Sequence, residues 1–185
     1  MSIQKVIRMG HPLLRQTAQT LTKEEILAES TQKLVQDMLD TMEEEQGIGI
    51  AAPQIGVSKQ VALIGIPEES ARYPQTESSP LIVVINPVIT VLDETQQGFW
   101  EGCLSVPGLR GFVQRPRKVQ IDYLDLNAQA QTIIAEDFLA TVFQHELDHL
   151  FGKLYVDRIT DLSKLSYMEE FVQFWAENPE AYKND

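Results

Sequence analysis

The residues of this chain best suited to chemistry lie in Gln144-His145-Glu146-Leu147-Asp148-His149-Leu150. Histidines four apart on a helix stand about one turn from each other, so both imidazoles can face one divalent cation. Glu146 lies between them. Its carboxylate would sit beside the ion rather than in the coordination shell, where it can take a proton from water.

An H-E-x-x-H match carries weight only in a helix and with a third ligand. The helix is well supported. Phe138, Leu139, Val142, Phe143, Leu147 and Leu150 put apolar groups on nearly every side of the two histidines, which predicts a buried central helix. Glu136 and Asp137 suit its N-terminal end, and Gly152 suits a stop just past its C-terminus. The bland alternative is a pair of core histidines bonded to backbone without metal, and the intervening Glu146 argues against it.

The third ligand has several candidates. In the pattern H-E-x-x-H-x-x-G-x-x-H, Gly152 is in register but Tyr155 stands where the last histidine belongs, so that option fails. Glu169 and Glu170 lie 20 and 21 residues beyond His149, as a thermolysin-like peptidase would require. Cys103, in Glu101-Gly102-Cys103-Leu104-Ser105-Val106-Pro107-Gly108, would be a stronger ligand for a borderline-soft metal. A lone cysteine is usually a small core hydrophobe. Here Gly102 opens space beside it, and a turn expected at Pro107-Gly108 would leave the thiol at a strand end.

The chain that must position these groups has 185 residues, 43% of them hydrophobic and 23% charged, which suits one soluble domain spanning residues 1–185. A net charge of −12 argues against tracking a nucleic-acid backbone. One cysteine allows no internal disulfide and makes a reducing compartment the default. With no apolar run near the ~20 residues of a membrane span, and no secretory h-region at the start, a cytoplasmic protein is expected.

Hydrophobic periodicity supplies the elements. Residues 1–21 read as a short strand or wrapping arm, with His11 as a polar turn residue before Pro12. Thr22-Lys23-Glu24-Glu25 has capping-box spacing, and apolar residues then recur at helical intervals to Gly47, predicting one amphipathic helix of about five or six turns. The acidic run Glu43-Glu44-Glu45 suits a solvated helix end. Gly47-Ile48-Gly49-Ile50-Ala51-Ala52-Pro53-Gln54-Ile55-Gly56 lets another backbone approach closely and, on pattern alone, reads as a tight turn. Strands are expected at 60–66, 81–92, 112–114, 119–126 and 131–135, with an irregularity at Asn86-Pro87. Residues 67–80 read as a mobile surface loop. A second amphipathic helix is expected over 161–177.

Three stretches, Gly47-Ile48-Gly49-Ile50-Ala51-Ala52-Pro53-Gln54, Glu101-Gly102-Cys103-Leu104-Ser105 and Gln144-His145-Glu146-Leu147-Asp148-His149, closely resemble the three motifs of the peptide deformylase family. The resemblance covers about residues 3–159. It implies an α+β fold in which antiparallel sheets surround the metal-binding helix, flanked by an N-terminal and a C-terminal amphipathic helix. It also implies hydrolysis of the formyl group from the N-terminal formylmethionine of newly made polypeptides, with release of formate.

Under that resemblance Cys103, His145 and His149 hold one divalent metal, physiologically Fe2+, with Zn2+, Ni2+ or Co2+ compatible with the same ligands. Glu146 is the general base and acid. The Gln54 side-chain amide and the Leu104 backbone N–H stabilise the oxyanion. Phe138, Thr141 and Val142 share a helix face with His145 and would line a pocket for methionine, with Ile48 as a further apolar wall. Gly49 would pair with the peptide backbone and Arg110 would contact it.

The family also implies transient ribosome association through a basic C-terminal helix. Residues 161–185 carry six acids against two lysines, which makes that route a poor match. Two rivals are a thermolysin-like peptidase using Glu169 or Glu170, and a structural or metal-storing domain without turnover.

Overall fold

A computed structural model describes residues 2–67 and 78–177. The expected surface loop falls largely outside those residues, as does the end of the C-terminal segment. Two helices, α1 (Lys23–Leu27) and α2 (Glu29–Glu44), precede strands β1 (Gly49–Ala51), β2 (Val61–Ile66), β3 (Ser79–Cys103), β4 (Val106–Leu124) and β5 (Ala130–Glu136). Helix α3 (Asp137–Leu150) follows, then β6 (Leu165–Tyr167) and α4 (Met168–Phe174). The strands form an antiparallel six-stranded sheet in the order β1-β2-β3-β4-β5, with β6 added to β4. This is the expected α+β class.

Helix α3 carries the H-E-x-x-H residues and packs on the sheet. Phe143, Leu147 and Leu150 meet Ile64, Val84, Val119 and Ile121 in one apolar cluster. Each large side chain buried there contributes roughly 1.5–3 kcal/mol. A second cluster joins Leu34, Val35, Met38 and Met42 of α2 to Ile50, Val61 and Leu63. The helix and β1 are thereby fixed to opposite sides of one cleft.

Several expected boundaries are corrected. The single N-terminal helix is two: Thr22 forms its capping box with Glu25, but Ala28 is extended (ψ 146°) and the chain restarts at Glu29. Thr31 stabilises the break by donating its hydroxyl to the Glu25 carbonyl at 2.6 Å. The glycine-rich stretch is strand β1 followed by a 3-10 turn, Ala52–Ile55, closed by Gly56 at φ 81°. Strand β3 runs 25 residues where 12 were expected, and the two strands foreseen at 112–126 are parts of β4, which runs 19. Register shifts between Ile85 and Val88 and between Asp93 and Gln96 interrupt the alternation that marks a strand.

The hairpin turn falls at Leu104 and Ser105, not at Pro107-Gly108, which belong to β4. The long C-terminal helix is a 3-10 turn, strand β6 and the short α4. Residues 2–21 form the wrapping arm, tied by Ile7 N–H to the Gln54 carbonyl and Met9 N–H to the Ser105 carbonyl. His11 is a turn residue whose Nδ1 accepts from Leu13 N–H. Among the described residues no helix is long and apolar enough to cross a membrane.

Candidate metal centre

Cys103 ends β3, and His145 and His149 face it from α3. One donor atom from each lies within 4.8 Å of the other two, and all three side chains are buried. Cys103 Sγ stands 3.3 Å from His149 Nε2. His145 Nδ1 lies 2.7 Å from Glu101 Oε2, which leaves Nε2 as its available ligand nitrogen. Sulfur and two imidazoles suit a borderline-soft divalent ion, and the pocket offers them without rearrangement. Glu169 and Glu170 are exposed on α4 and take no part in this group, so the thermolysin-like alternative has no third ligand.

The electrostatics favour a thiolate. Burial pushes the Cys103 thiol up, but the imidazoles of His149 and His145 outweigh it and bring the pKa down to about 5. Burial disfavours charge on His145 as well, yet Cys103 and Glu101 hold it well above the ordinary histidine value. A cation would replace the protons that otherwise balance this sulfur.

Glu146 is buried beside the cluster, and Oε2 has no hydrogen-bond partner among the described residues. Burial raises its pKa to about 7, with the two imidazoles pulling down and Cys103 and Glu101 pushing up. A carboxyl group poised there can both take and return a proton near neutrality. Its position depends on Gly49, because a Cβ at that residue would lie 2.5 Å from Glu146 Oε1.

Gln54 is held by its own turn. Its Oε1 accepts from Ala51 N–H at 2.8 Å, which aims Nε2 at Cys103 Sγ (3.4 Å) and Ser105 Oγ (3.3 Å). Leu104 follows the sulfur at the hairpin turn. A cleft of about 530 Å³, counted together with the solvent at its open mouth, joins Ile48, Gly49, Gln54 and Leu104 to Phe138, Thr141, Val142, Cys103, His145 and Glu146. Phe138 packs edge-on against Phe99 at 5.3 Å, and Gln97 Nε2 donates to Thr141 Oγ1 at 3.3 Å. Arg110 is buried outside this lining, its guanidinium against Gly102, where a Cβ would come within 2.8 Å, and over the Phe171 ring.

Glu101, Arg115 and Asp148 were not singled out in the sequence. Arg115 donates to both Glu101 oxygens at 2.6 and 3.0 Å and to Asp148 at 2.8 Å, all buried. Arg158 closes the chain on Asp148 at 2.5 Å. Trp100 was also missed; it lines the cleft beside Glu101. The adjacency of Glu101 to the cysteine was the one available signal, since its partners come from β4 and α3.

A family profile described as polypeptide deformylase matches residues 3–165. A peptide deformylase of Leptospira biflexa serovar Patoc is 44% identical over 170 residues, covering 92% of this chain and 95% of that protein. Peptide deformylase 1 of Nitrosomonas europaea is 46% identical over 169 residues, 90% of this chain and 93% of its own. The crystal structure of class I type b peptide deformylase from Acinetobacter baumannii with Met-Ala-Ser bound superposes with a TM-score of 0.82 at 36% identity, over 86% of this chain and all of that one. With the Cys-His-His cluster, the poised carboxylate and the cleft beside them, these similarities have one meaning: the chain belongs to the peptide deformylase family, enzymes that remove the N-terminal formyl group from nascent peptides.

Proposed function

We propose that Cys103, His145 and His149 hold a single divalent metal and that Glu146 moves the protons of deformylation. The carrying observation is geometric: three buried donors lie within 4.8 Å of one another, with a carboxylate next to them whose buried Oε2 lacks a partner among the described residues. A divalent ion in this donor set supplies Lewis acidity, acidifying water and polarising an amide carbonyl. The metal we assign in the cell is Fe2+, with Zn2+, Ni2+ or Co2+ acceptable to the same ligands.

Glu146 takes the proton of the attacking water and returns one to the amine that leaves with the peptide. Gln54 Nε2, with the Leu104 backbone N–H, donates to the oxygen on which charge develops. Ile48, Phe138, Thr141 and Val142 receive the methionine side chain, Gly49 pairs with the peptide backbone in the manner of an added strand, and Arg110 contacts it further along. Glu101 orients His145 by fixing its second ring nitrogen.

We place the enzyme in the cytoplasm as a single domain. It meets its substrate transiently at the ribosome and is not held there by a basic C-terminal helix, given the acidic tail. It makes no direct contact with nucleic acid.

Anaerobic purification, metal analysis and formate release from a formyl-Met peptide test the assignment. Cys103→Ala should lose the metal and the activity together. Glu146→Gln should keep the metal and lose about 10²–10⁴ in kcat. Metal retained at full stoichiometry in Cys103→Ala would refute the ligand set, and unaltered turnover by Glu146→Gln would exclude the proton role.

A further inference from the structure

Trp100 belongs to β3 one residue before Glu101, and it borders the same cleft as Cys103 and Glu146. Phe171 of α4 and Trp175 just after it pack against its indole. The Phe171 ring lies 5.1 Å from Trp100, centroid to centroid, at a 48° tilt, and Trp175 lies 5.2 Å away at 40°. Phe112 meets Trp100 edge-on at 6.1 Å. Phe171 is also the ring beneath the Arg110 guanidinium, at 5.8 Å, and that guanidinium presses on Gly102.

One short helix and the residue after it therefore back Trp100, which lines the cleft, and Arg110, which lies outside that lining. Most of its other large apolar groups do not pack: Val172 is 58% exposed and Phe174 60%. A helix whose purpose was to seal the core would bury those residues first. The inward pair, Phe171 and Trp175, instead spends its area on Trp100 and Arg110.

We infer that α4 and Trp175 form a positioning clamp for substrate: Phe171 and Trp175 hold Trp100 and Arg110 so that the indole is an aromatic wall for apolar residues following formylmethionine. The inference rests on the cleft assignment proposed above. Stacking of rings with an offset or tilt fixes the orientation of the indole, and an indole held in this way offers a large rigid contact at little entropic cost. The guanidinium over Phe171 is fixed by the ring's negative face. Phe171 and Trp175 act through their neighbours and touch no reacting atom.

The test compares three substrates: formylmethionine amide, formyl-Met-Leu-Ser and formyl-Met-Asp-Ser. In metal-loaded Phe171→Ala and Trp175→Ala, KM for formyl-Met-Leu-Ser should rise roughly three- to tenfold, the range expected on losing an aromatic pair or a cation–π contact. Its kcat should stay within about twofold, and turnover of formylmethionine amide should be unchanged. Trp175→Phe should restore the wild-type KM.

The chain has two tryptophans, so Trp175→Phe leaves Trp100 as its single indole. Titration with the product peptide Met-Leu-Ser should then shift its emission. Equal losses on all three substrates, or wild-type behaviour on all three, would overturn the clamp, as would an emission blind to the product peptide. Glu146→Gln run in parallel separates this from the cleft assignment: formate release at the wild-type rate in that variant would strike the assignment itself, whatever Phe171 and Trp175 do.

Discussion

In the proposed site a single side chain, Gln54, would carry two duties at once. Its Oε1 satisfies the buried Ala51 N–H while Nε2 points at the sulfur and at Ser105. Gln54→Leu removes both functions, and the two losses are separable. Without the donor, kcat for deformylation should fall about 10²–10³-fold. Without the acceptor, the orphaned amide should cost about 1–3 kcal/mol of folding stability, read from urea unfolding. A variant that lost stability but kept kcat would make Gln54 a structural residue only. The two-fold role also explains how far the sequence reached at this scale. His145, Glu146 and His149 announce themselves by local spacing, and Cys103 by being alone among glycines. Gln54, Leu104, Gly49 and Arg110 had chemical meaning only through the family resemblance, because no local spacing pattern of their own marks them.

Between elements, the decisive contact is that of β1 with α3. Gly49 lies so close to Glu146 that any Cβ would sit 2.5 Å from its carboxylate oxygen. A carboxylate can swing where backbone cannot, so Gly49→Ala should fold and retain metal but displace Glu146 from its working position. A loss of at least tenfold in kcat with unchanged metal content is expected; full activity would show that Glu146 tolerates the shift. Gly152 supplies the complementary case. Its φ is +71° and a Cβ would lie 2.7 Å from the Arg15 carbonyl carbon, so Gly152→Ala should cost stability instead, about 1–3 kcal/mol by urea unfolding. The elements were legible where periodicity is unbroken, as in α3 and β2. They were illegible where long-range bonds override it. The break at Ala28 depends on Thr31 reaching back to Glu25. Strand β3 looked short because its register shifts hide the alternation, and the C-terminal helix looked long because Leu162 and Val172, on its apparent apolar face, are in fact exposed.

At the scale of the molecule, one line of alternating charge joins the surface to the candidate metal site: Arg158, Asp148, Arg115, Glu101, His145. It crosses α3, β4 and β3, so the orientation of the His145 imidazole depends on packing from all three. Burial raises the pKa of both Glu101 and Asp148, but their partners more than reverse it: His145 and Arg115 for Glu101, Arg158 and Arg115 for Asp148 leave both below the ordinary carboxylate range. A carboxylate depressed in the folded state contributes stability that is fully present above its unfolded pKa, about 4, and is lost as pH falls through the lower folded value. The wild-type protein should therefore hold this contribution at neutrality and shed it only below about pH 4. Arg115→Met leaves two buried carboxylates without their shared cation, which should cost about 3–5 kcal/mol at pH 7. Between pH 7 and pH 4 acid relieves the variant, because a protonated carboxyl needs no countercharge, while the wild type keeps its interaction until the pH falls below about 4. The gap between their unfolding free energies should narrow steadily as pH is lowered toward 4. Urea unfolding of the pair from pH 7 to pH 4 gives the gap directly, and a gap that stays constant over that range would mean that Arg115 supports the site by shape, with its charge playing no part.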